Sequence, residues 1–371
     1  MDLEGLREQI DAIDSALVDL LSRRREAVDR VAEIKRRKNL PLYHPAREED
    51  LISRRRDQGR AAGLDPDTVE DVFRLLLRSS RITQSAALAS HGVRPGARVL
   101  LVGGKGNMGR SLRAWFGTAG YEVRVLDREE WPRVETLCRE VDLAVIAVPI
   151  DATCQVASRL GPHLPPTCVL ADITSVKVAP MRAMLAAHAG PVIGFHPMFG
   201  PGVTTMDKQI VVVTPGRDDA ACAWVPEQLA AWGAVVVQAH AEEHDEVMAV
   251  VQALRHFATF AFGQFLCHQG VPLARTLDFS SPIYRLELGM VGRLFAQDPG
   301  LYAEIIFATP ERRELLRRYV ESLAGNLSMI ETGDREQFCG EFRRVAEWFG
   351  PFGDQAIRES SYLIEKLVER F

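Results

Sequence analysis

The sequence has 371 residues, 47% of them hydrophobic, and a formal net charge of −5. This length predicts two or three domains of ordinary size, and the charge argues against wholesale binding to nucleic acid. No apolar run reaches the roughly 18 residues that a membrane span needs, and the first residues do not begin a signal peptide. The six scattered cysteines predict reduced thiols. We therefore expect a cytoplasmic protein with no nucleic-acid or membrane partner.

Residues 1–91 are expected to form an all-helical domain. Apolar residues recur at alternating steps of three and four along residues 3–38, which is typical of a single amphipathic helix. At about 1.5 Å per residue this helix is roughly 50 Å long, more than a domain of this size can cover alone. We therefore expect it to pair with a second copy in a homodimer. Proline and glycine signals predict two further helices, at 45–62 and 66–89.

Two cations interrupt the apolar face of the first predicted helix. Arg24 stands where a leucine would be expected, and Lys35 lies about 20° from it around the helix. Because burying unpaired cations is costly, they predict an anion bound between the helices. A solvated basic face is the alternative, since three arginines stand in a row at both 23–25 and 54–56. Arg7 lies about 100° from Arg24, so that it joins this site more easily from a partner's helix than from its own.

Residues 1–90 resemble the all-helical chorismate mutase family. The resemblance rests on a motif that matches in order and spacing: Leu6-Arg7-Glu8-Gln9-Ile10-Asp11, Arg24, Lys35, Arg47-Glu48 and Thr83-Gln84. It implies a dimer with two sites, each of which receives Arg7 from the other protomer. Arg24 and Arg47 would hold the two carboxylates of chorismate. Lys35 and Gln84 would hydrogen-bond its ether oxygen.

The remaining residues of this expected site lie on the second and third helices. Ser80 and Gln84, four residues apart, share a face of the third predicted helix. By the same resemblance, Glu48 and Ser80 would hold the ring hydroxyl of chorismate and nearby groups. His44 stands where some family members carry an acid. Chorismate rearranges to prephenate without proton or hydride transfer, so fixed cations that fold the dianion and stabilise the ether oxygen suit this chemistry.

Strands and helices alternate along residues 97–242, which predicts a doubly wound α/β Rossmann domain. Apolar runs such as 143–148 and 210–213 suit strands that are buried on both faces, and they predict a parallel sheet. The predicted strands lie at 98–103, 122–127, 142–148, 167–172, 191–195, 209–214 and 234–238.

A glycine-rich turn follows the first predicted strand. Gly104, Gly106 and Gly109 fill the pattern G-x-G-x-x-G. The first glycine is expected to turn the chain tightly, the second to admit the pyrophosphate to the backbone, and the third to let the helix pack on the strand. Asn107 and Met108 lie inside this loop, at a helix N-terminus that favours phosphate. The loop therefore predicts a dinucleotide site.

Asp127 ends the second predicted strand. A carboxylate at this position accepts hydrogen bonds from ribose hydroxyls and repels a 2′-phosphate, which predicts NAD as the cofactor. Arg128 beside it is the kind of residue that tolerates NADP.

Two later segments place polar residues at the carboxyl edge of the predicted sheet. Ser175 and Lys177 lie in the segment 172–177, after a strand and before a helix, although Ser175 also suits a helix cap. His196 precedes a proline in a glycine-flanked loop after the next strand. Because ligands of this fold bind at that edge, His196 is a candidate catalytic residue.

Residues 243–371 predict an all-helical domain that closes over the substrate and makes a dimer. His256 lies in an apolar helix, where a satisfied core histidine is the alternative. Arg285 and Arg293 are eight residues apart, about 80° around one helix, so that both can border one cleft. Arginines suit the bidentate capture of carboxylates.

Residues 97–371 resemble prephenate dehydrogenase. The matching segments are the glycine loop, Asp-Ile-Thr-Ser-Val-Lys, His-Pro-Met-Phe-Gly, Leu-Arg-His-Phe and Ser-Pro-Ile-Tyr-Arg. The resemblance implies that His196 takes the proton of the prephenate ring hydroxyl while hydride passes to NAD, and that Arg293 binds a substrate carboxylate. It implies that the pocket is also lined by Ser175, Lys177, His256 and Arg285.

Together the two resemblances indicate the bifunctional chorismate mutase–prephenate dehydrogenase family of tyrosine biosynthesis. This family implies feedback inhibition by L-tyrosine, although no residue of the sequence shows it. One alternative is a Rossmann dehydrogenase acting on arogenate or another hydroxy acid, with a purely structural N-terminal helical domain. Another is a redox-sensing module on a dimerisation coil. A fused mutase domain favours prephenate, because prephenate is its product.

Overall fold

The computed structural model describes residues 2–37, 45–89, 92–203 and 205–368. The chain divides into two compact units, Met1–His244 and Asp245–Phe371. His44 and the expected end of the first helix near residue 38 lie outside the described residues. Among the residues described, no helix combines the length and the apolar character needed to cross a membrane.

Three helices open the first unit, as expected from the sequence: α1 (Leu3–Arg37), α2 (Pro45–Ala61) and α3 (Pro66–Ala89). Helix α3 packs against both α1 and α2. The apolar stripe of α1 stays open in the single chain, since Leu6 is 46% and Ile13 is 66% exposed. An uncovered apolar stripe of this length fits the expected pairing with a second copy.

A seven-stranded sheet follows, and it contains all seven strands expected from the apolar runs. They are β1 (Arg98–Val102), β2 (Glu122–Leu126), β3 (Leu143–Ile146), β4 (Val169–Asp172), β5 (Val192–Pro197), β6 (Ile210–Arg217) and β7 (Val235–Gln238). Their order is β2-β1-β3-β4-β5-β6-β7. The strands β1, β3 and β4 are buried almost throughout, because helices cover both faces. The order reverses at β1, which opens a crevice at the carboxyl ends of β1 and β3.

The sheet is not parallel throughout, which corrects the expectation from the sequence. Strands β1 to β5 are parallel, but β6 runs antiparallel to β5, and β7 then runs parallel to β6. The connection between β5 and β6, residues 198–209, has no helix among its described positions. A parallel return needs a crossover of about a dozen residues or more, usually through a helix. A helix-free loop therefore brings β6 back in the opposite direction.

Helices cover both faces of this sheet. They are α4 (Asn107–Thr118), α5 (Val134–Leu137), α6 (Ile150–Leu160), α7 (Val178–Ala187), α8 (Asp219–Cys222) and α9 (Trp224–Ala231), with 3₁₀ turns at Trp131–Arg133 and Gly161–His163. One buried core includes Phe116 of α4 and Leu229 of α9. The other includes Leu160 of α6 and Met184 of α7. Two cores on opposite faces make the domain doubly wound.

The second unit is helical. The boundary between the units lies inside α10 (Ala241–Met248). After it come a π-helical turn (Ala249–Leu254), α11 (Arg255–His268), α12 (Leu273–Asp278), α13 (Pro282–Phe295), α14 (Pro299–Phe307), α15 (Pro310–Glu331), α16 (Arg335–Phe349) and α17 (Pro351–Val368). Side chains cap α13 to α16 at their N-termini, and these caps are Ser281, Asp298, Thr309 and Asp334. Large apolar side chains on α16 remain exposed, with Phe342 at 67% and Trp348 at 79%. Such a surface fits a dimer contact.

Candidate active sites

The first candidate site is a pocket of about 160 Å³ between α1, α2 and α3. Arg24 and Lys35 both line it, as their shared helical face predicts. The polar residues that line it are Arg24, Lys35, Arg47, Glu48, Ser80, Arg81 and Gln84. This set contains six of the residues singled out from the sequence, together with Arg81, which was missed. The pocket therefore supports the prediction of a bound anion, because cations predominate among its charged side chains.

Arg24 is held by the third helix. Its Nη1 donates to Ser80 Oγ at 2.6 Å and to the Leu76 carbonyl at 3.3 Å. The Ser80 hydroxyl itself donates to the Leu76 carbonyl at 2.6 Å. Burial lowers the pKa of Arg24, yet a guanidinium stays charged at any physiological pH. Ser80 thus fixes the orientation of a permanent positive charge.

The ammonium of Lys35 lies in a strongly cationic setting. Burial is the largest influence on it and lowers its pKa, and the positive charge of Arg47 lowers the pKa further. The carboxylate of Glu48 opposes both and raises the pKa. A bound dianion would favour the charged form of Lys35 in the same way, because an opposite charge stabilises it.

Glu48 is bound by Arg81, a residue that the sequence did not single out. Arg81 Nη1 lies 2.7 Å from both carboxylate oxygens of Glu48. The Nε of Arg81 lies 2.9 Å from Oδ2 of Asp207, which is 126 residues away in the chain. Lys208 Nζ lies 3.5 Å from Glu48 Oε2. The pocket therefore receives support from the loop between β5 and β6.

Arg7 is exposed on α1 and does not line this pocket. Its expected contribution concerns the site of the other protomer.

The second candidate site begins at the glycine loop after β1. The tight turn falls at Gly103, with φ +83°, and not at Gly104 as expected. A Cβ at Gly103 would lie 2.4 Å from the Ala147 carbonyl oxygen, so this position admits only glycine. Gly104 lies against β2, where a Cβ would be 2.8 Å from Val125 Cγ1. The correction arises because the turn begins as soon as β1 ends at Val102.

The other residues of the loop start helix α4. Gly106 is its N-cap, and Asn107 is its first residue. A Cβ at Gly109 would lie 2.3 Å from the Gly103 carbonyl oxygen, so α4 packs directly on the turn, as expected for the third glycine. Met108 packs against the core beneath the helix. The cradle that remains is lined by backbone, which is what a pyrophosphate needs.

Asp127 directly follows β2 and faces this loop. Its Oδ2 accepts a hydrogen bond of 2.9 Å from the backbone N–H of Lys105. The Lys105 ammonium is paired with Glu129 at 3.2 Å and Glu130 at 2.7 Å. The carboxylate therefore lies beside the glycine turn, at the edge where the fold holds a ribose.

His196 lies inside β5 and not in the loop after it, which corrects the sequence interpretation. It pairs with Val212 of β6, because the antiparallel neighbour extends the strand by two residues. The residue is only 2% exposed. Its Nδ1 lies 2.8 Å from Nε2 of His244, on α10, which is also 2% exposed. His244 was missed from the sequence, because it is 48 residues away.

Lys177 is fully buried in an ion pair with Asp172, at the end of β4. The same Asp172 oxygen accepts a hydrogen bond of 3.0 Å from the backbone N–H of Thr174. Lys177 is also the N-cap residue of α7, and its own side chain does not cap the helix. Ser175 is half-buried in the turn. Strand β4 pairs Asp172 with Gly194 of β5, so this turn and His196 share one edge of the sheet.

The remaining site residues from the sequence lie in the second unit. Burial, followed by the nearby charge of Arg255, lowers the pKa of His256 to about 4. The His256 ring packs edge-on against Tyr302, with centroids 4.8 Å apart. Arg285 donates from Nε to Ser280 Oγ at 3.0 Å, which ties it to the end of α12. Arg293, on the same helix α13, is exposed.

Three family models match the chain. Chorismate mutase type II matches residues 6–85, the nucleotide-binding domain of prephenate dehydrogenase matches 113–238, and the dimerization domain of prephenate dehydrogenase matches 240–344.

Curated proteins match over nearly the whole chain. The T-protein of Enterobacter agglomerans is 46% identical over 366 residues, which is 98% of this chain and 97% of that protein. The T-protein of Haemophilus influenzae is 39% identical over 364 residues, with the same coverage of 98% and 97%. The fold also matches a crystal structure of prephenate dehydrogenase from A. aeolicus in complex with hydroxyphenyl propionate and NAD⁺. That match has a TM-score of 0.54 and 20% identity, over 68% of this chain and 97% of that one.

Proposed function

The chain belongs to the T-protein family of bifunctional chorismate mutases and prephenate dehydrogenases, and from this premise we propose which residues carry its two reactions. It is an enzyme of tyrosine biosynthesis that converts chorismate to prephenate and oxidises prephenate with NAD to 4-hydroxyphenylpyruvate and CO₂. We assign the mutase to residues 1–91, cofactor binding to 97–242, and substrate closure with dimerisation to 243–371.

The mutase site acts through fixed charge. Arg24 and Arg47 bind the two carboxylates of chorismate, and Arg7 of the partner subunit adds a third cation. The substrate is thereby folded into its reactive shape before the bonds rearrange. Lys35 and Gln84 donate to the ether oxygen, which gains negative charge in the transition state.

The ring hydroxyl of chorismate is assigned to the opposite wall of this pocket. There the carboxylate of Glu48 accepts a hydrogen bond from it. Ser80 acts by holding Arg24, and the bond of 2.6 Å between them supports this role. The single observation that carries the mutase proposal is the convergence of Arg24, Lys35 and Arg47 on one small cavity.

The cofactor is assigned to the glycine loop and Asp127. The backbone of Gly104, Gly106, Asn107, Met108 and Gly109 receives the pyrophosphate, and Asp127 receives the ribose. NAD supplies the acceptor for the hydride that leaves prephenate. The fit rests on the cradle at Gly109, where a side chain would collide with the turn.

His196 is the general base of the dehydrogenase. A neutral imidazole is required, because it takes the proton of the ring hydroxyl as that oxygen becomes a carbonyl. Loss of the ring carboxylate as CO₂ then aromatises the ring. His244 is a positioning residue that holds His196 through Nδ1. The burial of both rings keeps water away from the proton transfer.

Binding of prephenate is assigned to the residues that the family resemblance implies. The guanidinium of Arg293 binds a substrate carboxylate. Lys177 supports the site through its buried pair with Asp172. Ser175, His256 and Arg285 are further residues that we assign to substrate binding. The enzyme is proposed to act as a homodimer in the cytoplasm, with L-tyrosine as feedback inhibitor.

Two single substitutions test these assignments together. Arg24→Gln should abolish the loss of chorismate and leave the formation of NADH from added prephenate intact. His196→Asn should do the reverse, with dehydrogenase turnover lower by about 10²- to 10⁴-fold, the usual range for a general base. Arg25→Gln, an exposed neighbour on α1, is the matched control and should change neither rate. Parallel loss of both activities in either variant would contradict the assignment.

A further inference from the structure

Two residues that line the mutase pocket are bound by charges from outside the helical domain. Arg81 of α3 is 8% exposed, and it separates two carboxylates that belong to different domains. Its Nη1 faces Glu48 of α2, and its Nε faces Asp207 of the loop between β5 and β6. Lys208, in the same loop, reaches Glu48 at 3.5 Å. A chain of alternating charge therefore runs from the Rossmann domain into the mutase pocket.

The geometry of this chain of charges suits a positioning role. A guanidinium presents its donors in a rigid fork, so a bond at Nε determines where Nη1 points. The Nε of Arg81 donates to both carboxylate oxygens of Asp207, at 3.0 and 2.9 Å. These bonds fix the plane of the Arg81 guanidinium. The Nη1 of Arg81 then meets both oxygens of Glu48 at 2.7 Å. The orientation of the Glu48 carboxylate thus follows from the position of Asp207.

Asp207 also balances the charge of the pocket. Burial would lower the pKa of Arg81, but its hydrogen bonds to Asp207 and Glu48 raise the pKa, so the guanidinium stays charged. Without Asp207, Arg81 would lose the carboxylate that binds its Nε and would turn further toward Glu48. The Glu48 carboxylate would then be drawn toward Arg81 and away from a substrate hydroxyl. Removal of the Asp207 charge, outside the pocket, would in this way weaken the contact between Glu48 and the substrate.

The loop that carries both residues is firmly held. The Lys208 backbone has φ +60°, a left-handed conformation that is rare for a lysine. Its N–H donates to the Gly233 carbonyl at 2.9 Å, which anchors it beside β7. Such a conformation persists only where the surroundings determine it. Asp207 and Lys208 are therefore presented to α2 and α3 by a rigid scaffold.

We propose that Asp207 and Lys208 are positioning residues of the mutase, so that the Rossmann domain completes the mutase site by orienting Glu48 through Arg81. The inference rests on the proposed role of Glu48. It assigns a function in the mutase reaction to the loop that follows the strand of His196.

The test compares four variants of the full chain: Asp207→Asn, Lys208→Asn, Glu48→Gln and Glu49→Gln. Asparagine tolerates the left-handed backbone of Lys208 and removes the ammonium group that reaches Glu48. Glu49 is the matched control, because it forms an exposed pair with Arg74 between the same two helices. Mutase kcat and KM are measured from loss of chorismate, and dehydrogenase activity from NADH with added prephenate.

The expected result is a fall of about 10- to 100-fold in mutase kcat/KM for Asp207→Asn, the scale of a small misplacement of a catalytic group. Lys208→Asn should give a smaller fall in the same direction, and Glu49→Gln none. All four variants should retain dehydrogenase activity, which shows that the chain is folded. An unchanged mutase rate in Asp207→Asn would overturn the inference.

A double substitution separates positioning from general stability. In the Glu48→Gln background, Asp207→Asn should cost less than about twofold, because its effect passes through Glu48. An equal fold loss in both backgrounds would overturn the inference. If the wild-type protein had no mutase activity, the proposed function itself would be wrong. If only Glu48→Gln lost mutase activity, the proposed function would stand and only the role of Asp207 would be overturned.

Discussion

The Nδ1 atom of His196 lies 2.8 Å from the Nε2 atom of His244, and both rings are buried. One nitrogen of such a pair must donate and the other must accept. The contact therefore couples the tautomers of the two rings and fixes the orientation of the His196 ring. It joins β5 to helix α10, and it makes the proposed base of the dehydrogenase dependent on a second histidine.

Replacement of His244 should therefore impair the dehydrogenase alone. We expect His244→Asn to lower the dehydrogenase kcat by about 10- to 100-fold, since a misplaced base loses that much, while mutase activity stays unchanged. The pH profile of kcat should also shift, because His244 influences the proton of His196. His240→Asn, an exposed histidine before α10, is the control. An unaltered pH profile together with an unaltered kcat would contradict the positioning role.

The glycine at the start of α4 offers a sharp test of cofactor binding. A Cβ at Gly109 would lie 2.3 Å from the Gly103 carbonyl oxygen, so Gly109→Ala must push the helix away from the turn. We expect at least a tenfold rise in the Kd for NAD, which is about 1.4 kcal/mol. Gly117→Ala in the same helix meets nothing within 4 Å and should leave NAD affinity unchanged. Titration of NAD by protein fluorescence measures both, and equal affinities in the two variants would refute the placement.

The mutase should lose activity at alkaline pH through Lys35. Burial and then Arg47 lower the pKa of its ammonium, so the proton is lost at a lower pH than from a free lysine. In the proposed mechanism the charged form is the active one, so the rate should fall as pH rises through this pKa. Lys35→Arg keeps a charge that is not lost in this range and should move the fall to higher pH. An alkaline limb that is identical in both proteins would exclude Lys35 as its source.

His256 should make the protein sensitive to acid. Burial and then Arg255 lower its pKa from 6.5 to about 4 in the folded chain. Between these values the unfolded chain takes up a proton that the folded chain does not, so stability is complete above pH 6.5 and falls as pH decreases. The loss near pH 4.5 should be about 2 to 3 kcal/mol.

Urea unfolding of wild type and His256→Gln at neutral pH and near pH 4.5 measures this loss. The wild type should lose more stability than the variant between the two conditions, because glutamine does not titrate. His268→Gln, at the C-terminal end of the same helix, serves as the control. Equal losses in wild type and His256→Gln would show that the buried imidazole is not the source.

Much of the fold could be predicted because apolar patterns report burial. Strands that are covered on both faces, such as β3, appear as unbroken apolar runs, and the stripe of α1 appears as a helical period. The direction of β6 could not be predicted in this way. The pattern of a strand carries no information on direction, which was decided by the absence of a helix from the described part of the loop before it.

The same limit applies to the candidate sites, because only residues related by a local pattern could be predicted. Arg24 and Lys35 were found because one helix periodicity relates them. The contacts of Arg81 with Asp207 and of His196 with His244 were not found, since their partners are 126 and 48 residues apart. Nothing local in the sequence marks such pairs. Only the packing of α3 on the loop before β6, and of α10 on β5, brings them together.

The central claim is that one chain performs both reactions in order, and a single assay tests it most directly. Purified protein is mixed with chorismate and NAD, and the loss of chorismate is followed together with the appearance of NADH by absorbance. We expect NADH to appear after a short lag, because prephenate must first accumulate from chorismate. A chorismate concentration that does not fall would contradict the account. Loss of chorismate without NADH would contradict it as well, provided that prephenate and NAD supplied directly also give no NADH.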